Sequence, residues 1–314
     1  MKKILTSFVV FPVALMLSAQ ESNVPVITIT GTKFPFTIMQ QWIDAYSKIH
    51  PEVRFELSKA IPLDSAELMI AAHAFNPGEL KNDEAIVAVN RYAQLPIVNS
   101  YRPGLKDLQQ KGFTQTDMGN IYFNPNAGNT AGDSFTVYKR DKNVCATRSF
   151  TENVTGTQED MKGKFVTGDD RALSAAVKND VNGISYNNLG LVYNIQTRKI
   201  ADSISIVPID LNGNGVIDKE ENNYATLDAV LDLINATHTN KIPQENVNIV
   251  FKKNSISKTA LSFLQWIITE GQQYNRTYGF MDLDKNIAAD EQAFLATVAL
   301  NKNSAAVPLS KLPK

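Results

Sequence analysis

One cysteine, Cys145, is all that 314 residues carry, so neither an intrachain disulfide framework nor a cysteine-paired zinc site is open to this chain. Histidine is almost as scarce. His50, His73 and His238 are scattered, with no His-Glu-x-x-His helix to gather them. Neither charge sign dominates, with 31 basic against 32 acidic residues, which argues against nucleic acid or an anionic membrane surface as a partner. There is no Gly-x-Ser-x-Gly elbow, no P-loop, no repeat and no low-complexity tract. Past the amino-terminal segment no run is apolar enough to span a bilayer. A hydrophobic content of 43% still supports an ordinary packed core, so global disorder is excluded.

Met1 to Ala19 carries Lys2 and Lys3, an apolar stretch from Ile4 to Leu17, and small residues Ser18 and Ala19. That is the pattern of a cleavable secretory signal rather than a membrane span. With no cysteine at the cleavage point, a lipid anchor is not expected. The expectation is an exported, periplasmic, soluble monomer. Cys145 could serve as a nucleophile, but no histidine lies near it in sequence. A packed or half-exposed thiol is expected.

Strands and helices alternate along the rest. Val26 to Thr30 reads as a strand, Gly31 as a tight turn, and Pro35 as the opening of a helix whose stripe is Ile38, Trp42, Tyr46 and Ile49. Val53 to Leu57 is the next strand. A helix start fed by a glycine turn offers free amides and a positive dipole end, which suit an anion. Further strands are predicted over Leu68 to Ala72, Ala85 to Asn90, Asp133 to Arg140, Gly183 to Tyr186, Ser203 to Ile209 and Val247 to Phe251. Helices are predicted over Leu105 to Gln110, Thr114 to Tyr122, Arg171 to Asn179, Leu227 to Ile234 and Lys258 to Glu270, with another beginning near Thr147. The pattern implies an α/β protein with mixed sheets. The chain is expected to leave a first lobe (20–92) near residue 93 and to return to it (246–314) near residue 246. Residues 93–245 would then form a second lobe, and the two crossings a hinge beside a cleft.

The sharpest local motif runs from Asp210 to Glu221 and matches the twelve-residue EF-hand ligand pattern. Asp210, Asn212 and Asn214 supply side-chain oxygens at alternate positions, and Gly215 permits the turn. Val216 offers its carbonyl, Asp218 ligates directly or through water, and Glu221 closes the site with two oxygens. Hard oxygen donors suit Ca²⁺ rather than zinc or copper. A structural calcium ion is therefore expected as cofactor. The cluster Asp282-Leu283-Asp284-Lys285-Asn286 lacks the glycine and the closing glutamate, and reads as a solvated turn.

The first turn, Ile29-Thr30-Gly31-Thr32-Lys33-Phe34-Pro35, resembles that of the phosphate-binding protein family of ABC-type phosphate importers, which are periplasmic solute-binding proteins. Ala85 to Asn90, Val177 to Tyr186, and Ile242 through Lys252 with the helix after it are similar to that family's segments in the same order. The resemblance implies a two-lobed, hinged fold that captures phosphate for the membrane subunits of an importer. Carried over by position, Thr32 and the backbone of Phe34 would hold the anion at the first helix start. Arg140 would supply the guanidinium, with Arg148 as a competitor, and Thr147 would stand at the second helix start. Two departures bear on selectivity. Cys145-Ala146-Thr147 stands where the family has Ser-Gly-Thr, and Ala71-Ala72 where it has a Ser-Asp pair whose aspartate accepts a proton from phosphate. Glu67 or His73 could replace that carboxylate.

Two other functions stay open. One is an enzyme, for which no catalytic motif is present. The other is a calcium-stabilised exported binding or assembly protein of the same fold with no role in phosphate transport.

Overall fold

The computed structural model describes residues 26–124, 135–141, 144–237 and 239–305. The expected leader, Asp133 and His238 lie outside them.

The first unit is β1 (Val26–Gly31), α1 (Phe36–Ile49), β2 (Arg54–Leu57) and β3 (Leu68–Ala71), with β1 paired in parallel to β2 on one side and β3 on the other. Helix α1 forms because Ile38, Met39, Trp42, Ile43 and Tyr46 recur at helical spacing and all are buried. It ends where the His50 amide reaches back to the Tyr46 carbonyl. Trp42 fixes the helix by donating its indole N–H to Gly271 O at 2.8 Å.

Strand β4 (Glu84–Asn99) follows, then α2 (Leu105–Lys111) and α3 (Gln115–Phe123), the latter opened by a reciprocal Thr114–Asp117 capping box. The order of the first unit then recurs in β5 (Thr136–Arg140), α4 (Cys145–Asn153), β6 (Lys164–Val166), α5 (Asp170–Lys178) and β7 (Gly183–Asn188). Here β5 pairs in parallel to β6 and β7. The chain continues through α6 (Leu189–Val192), β8 (Ile204–Ile206), α7 (Leu227–Thr237), β9 (Gln244–Lys252) and α8 (Lys258–Ile268). Two 3₁₀ turns and α9 (Lys285–Ala305) complete the described chain.

All the strands join one nine-stranded sheet ordered β2-β1-β3-β9-β4-β7-β5-β6, with β8 also on β4. Strand β9 runs antiparallel to β3 and β4, and β4 antiparallel to β7. Each half of the sheet is therefore a parallel trio with its first strand in the middle, bordered by a strand that crosses between halves. Two separate cores result. One is built from residues between Ile27 and Tyr92 and between Val247 and Val298; the other from residues between Ala93 and Ile242, with Met281. The fold is two-lobed α/β.

Three differences from the sequence expectation have clear causes. Strand β4 does not stop at Asn90 but runs on to Asn99, because Tyr92 to Asn99 are buried on both faces and the alternation that marks a half-buried strand disappears. The polar members of that stretch are satisfied internally: Gln94 donates to Ala146 O, and Asn99 to Val177 O and Lys178 O. Helix α9 was not expected, since few apolar residues, among them Leu295 and Val298, hold it to the core. The acids before it are exposed but not idle, as Asp284 pairs with Arg91 at 3.2 Å. Helix α4 begins at Cys145, two residues before the expected start, and this shift decides which side chain faces the cleft. Among the described residues no helix is long and apolar enough to cross a membrane.

Candidate functional site

The carboxyl ends of β1 and β5 point at one another across the gap between the lobes, the place where open α/β sheets take ligands. At the end of β1, Gly31 has φ +117°, and a Cβ there would stand 2.2 Å from Ile70 O, so only glycine passes. The chain then turns sharply: Thr32 N–H donates to Ile70 O, Phe36 N–H to Lys33 O, and α1 begins with Pro35 as an N-cap that offers no side chain. Across the gap β5 ends at Arg140, and α4 begins after Val144, which caps nothing with its side chain either. The amides of Thr37 on one side, and of Cys145 and Ala146 on the other, have no acceptor among the described residues, and all three residues line the gap. Two helices thus present open amides and positive dipole ends to one cavity. That cavity has a volume of about 970 Å³.

Its charge is mostly cationic but largely paired. Arg140 Nη1 holds Asp170 Oδ1 at 2.7 Å, with both side chains about nine-tenths buried (11% and 12% exposed). Burial pushes the Asp170 carboxyl above its ordinary value, and the Arg140 charge pulls it only part of the way back. Arg140 Nε is buried with no acceptor among the described residues. Arg148 is held by Glu79 and Glu152, each at 2.9 Å. Asp169 caps the start of α5 and pairs with Arg171 and, at 3.6 Å, with Lys33. The Arg171 hydrogen bond is the main reason its carboxyl sits at about 2. Lys59 lines the cavity with no ion-pair partner among the described residues.

At the mouth of α4 stands a pair invisible to sequence spacing. Cys145 Sγ lies 2.9 Å from His73 Nδ1 and 3.0 Å from Thr32 Oγ1, and all three line the cavity. Burial pushes the thiol up. Hydrogen bonds from His73, Thr32 and the Ala72 amide outweigh it and hold the thiol below its ordinary value. Cys145 is therefore no mere packing residue, and its partner histidine comes from the other lobe, 72 residues earlier.

No protein-family model matches the chain, and no curated protein sequence does. Solved structures do. A candidate phosphate ABC transporter substrate-binding protein from Clostridium perfringens, with bound phosphate, superposes with a TM-score of 0.61 at 19% identity, over 82% of this chain and 100% of that one. An ABC-type phosphate transport receptor from Vibrio cholerae gives 0.57 at 14%, over 82% and 100%. The regulatory domain of a LysR-family regulator from N. meningitidis gives 0.50 at 12%, over 83% and 99%. The chain has the two-lobed substrate-binding-protein fold.

Within that fold the structure sorts the residues singled out from sequence. Thr32, Phe34 and Arg140 line the cavity between the lobes. Phe34 also anchors the turn, its ring 4.7 Å from that of Tyr92. Thr147 requires correction. It does not line the cavity; it is buried, and its hydroxyl accepts the Tyr186 phenol at 2.7 Å. The helix start lies two residues earlier, so Cys145 and Ala146 line the cavity instead. Glu67 is also removed, because its carboxylate accepts the Ser257 amide at the start of α8. His73 remains, lining the cavity.

The loop from Asp210 to Glu221 lies elsewhere on the second lobe, docked where the Ile217 amide donates to Gln110 O and the Ile217 side chain covers Gly112. Asp210 and Glu221 are buried, while Val216 is exposed. The Asp210 carboxylate accepts the amides of Gly213 and Gly215, and that of Glu221 accepts the amides of Leu211, Asn212 and Asp218. Asn212 and Asn214 turn their Nδ2 groups toward Asp218 at 2.7 and 2.9 Å. Among the described residues no group of three or more His, Cys, Asp or Glu side chains converges as a ready cation site. The donor types fit a hard cation, but this arrangement satisfies them from within the loop.

Proposed function

We propose that this chain is an exported solute-binding protein that captures an oxyanion, phosphate first, between its lobes for an ABC importer. One observation carries the reading: two uncapped helix starts, α1 and α4, face each other across a cavity that also holds the Arg140 guanidinium. The anion would take the Phe34 backbone and Thr32 from one lobe, and Arg140 with the Cys145 and Ala146 amides from the other. Because those donors are split between lobes, the anion binds the closed arrangement better than an open one and shifts the population toward it. Strand β4, which runs through both cores, and β9 paired along it serve as the hinge. Among the described residues no carboxylate from the segment after β3 lines the cavity, where His73 stands instead, so sulfate is expected to compete with phosphate. Calorimetric titration of the mature protein with phosphate and with sulfate should show saturable binding of one anion per chain; no heat with either would remove the reading.

We also propose that the Asp210–Glu221 loop takes Ca²⁺ as a brace for the second lobe. The support is the ligand pattern together with the burial of Asp210 and Glu221, two carboxylates that a bound cation would compensate. Binding would exchange the Asn212 and Asn214 amide donors on Asp218 for the cation.

A second reading rests on Cys145 and His73, which stand at the distance of a nucleophile and its base. A thiol-dependent hydrolase would turn over an ester substrate with loss of activity in Cys145→Ser. A binding protein gives stoichiometric capture and no product.

A further inference from the structure

From the cavity's walls we infer that the captured oxyanion is the head of a larger organic molecule, a phosphoryl or phosphonyl group carrying an apolar alkyl or aryl body. This rests on the oxyanion reading above and narrows it. The lobes already touch. Cys145 meets Thr32 and His73 at 3.0 and 2.9 Å, Arg148 meets Glu79 at 2.9 Å, and Ser149 Oγ donates to Ala72 O at 3.1 Å. Lys33 and Asp169 span the gap at 3.6 Å. Cys145 and His73 stand beside β4 and β9, where Gln94 donates to Ala146 O and Asn248 to His73 O, so it is the Lys33–Asp169 pair that bridges the gap away from those strands around a cavity of about 970 Å³. Inorganic phosphate fills on the order of 100 Å³, scaled from the roughly 30 Å³ of a water molecule in the liquid. Most of the space would then stay unfilled around a bare anion.

The walls say what fills it. The donors gather at the two helix starts and at the start of α5, and Lys59 adds a cation two residues before Ile61. The remaining lining includes Phe36, Ile61, Leu63, Met69, Leu191 and Ile195, an apolar surface continuous with the anion end. Leu63, 62% exposed, stands on that wall where a ligand's body would cover it. A cavity of this size with an apolar wall and a few polar groups at one end is built for a molecule with a charged head and a greasy body. Contact with the wall removes apolar surface from water, which inorganic phosphate cannot do.

Calorimetry on the mature protein with inorganic phosphate, phenyl phosphate and phenylphosphonate separates the possibilities. The expected result is that both phenyl compounds bind at least tenfold tighter than inorganic phosphate, and that Leu63→Ser narrows this ratio while leaving phosphate affinity unchanged. Leu63 is too exposed for its loss to unfold the lobe. Equal or tighter binding of inorganic phosphate would overturn the inference and leave the oxyanion reading standing. Binding of none of the three, by a protein that melts cooperatively, would remove the oxyanion reading and this inference with it.

Discussion

Cys145 Sγ and His73 Nδ1 lie 2.9 Å apart and belong to opposite lobes of the fold. The contact exists because α4 starts at Cys145 beside β4 and β9, where Gln94 donates to Ala146 O and Asn248 to His73 O. Since the thiol is held below its ordinary value, a larger thiolate fraction persists at neutral pH than for an unperturbed cysteine. Iodoacetamide should therefore alkylate Cys145 several-fold faster at pH 7 than it does in His73→Ala, where a stabilising partner is gone and burial remains. Equal rates across pH 6 to 9 would show that His73 does not tune the thiol.

The Arg140–Asp170 pair is buried, and removing one member should cost more than removing both. Arg140→Met leaves Asp170 alone in a dry site, with an expected loss of about 3 kcal/mol in denaturant unfolding. Adding Asp170→Leu should restore most of the stability without restoring anion binding. The pH sign follows from the raised Asp170 carboxyl. The folded state binds more protons than the unfolded one, so the single variant gains stability as pH falls from 7 toward 5. A single variant as stable as the wild type at pH 7 would show that the pair is not the charge-burying contact described.

Asp169 behaves in the opposite sense. Its carboxyl sits at about 2, below the ordinary 3.8, so its contribution is full above the unfolded value and is lost as pH falls through about 2. With 35% of the side chain exposed, solvent screening limits the charge effect to under about 1 kcal/mol, and the cap on α5 adds about 1 kcal/mol. Asp169→Ala should therefore destabilise measurably at pH 6, with a smaller deficit near pH 2. An equal deficit at both pH values would assign the effect to the cap alone.

Calcium should raise the melting temperature of the wild type by several degrees, with chelation lowering it and Glu221→Gln abolishing the difference. A melting curve indifferent to calcium would leave Asp210–Glu221 as a loop sustained by its own amides.

Much of this was legible in the sequence where local patterning speaks. Gly31 and Pro35 announce a turn into a helix, and Ile38, Trp42 and Tyr46 mark the stripe that α1 buries, while Ile49, read into the same stripe, is exposed at the helix end. The alternation of strands and helices gave the layered architecture. Legibility failed where burial is two-sided or contacts are distant. Tyr92 to Asn99 lost the period-two signal because both faces are covered, and α9 has too few apolar residues to show a stripe. The start of α4 was missed because Val144 is an unremarkable N-cap, with no serine, threonine or aspartate to flag it. Cys145 rather than Thr147 therefore lines the cavity. The Cys145–His73 contact had no local signal at all, since only the folded sheet brings residues 72 apart together.

The central claim is that open amides at two opposed helix starts grip one anion. Amide chemical shifts, followed by NMR while phosphate or phenyl phosphate is added, test it most directly. The account predicts that Phe34 and Thr37 on one lobe, and Cys145 and Ala146 on the other, move together along one saturating curve. Shifts confined to a single lobe, or none at these four amides while the anion binds elsewhere, would contradict it.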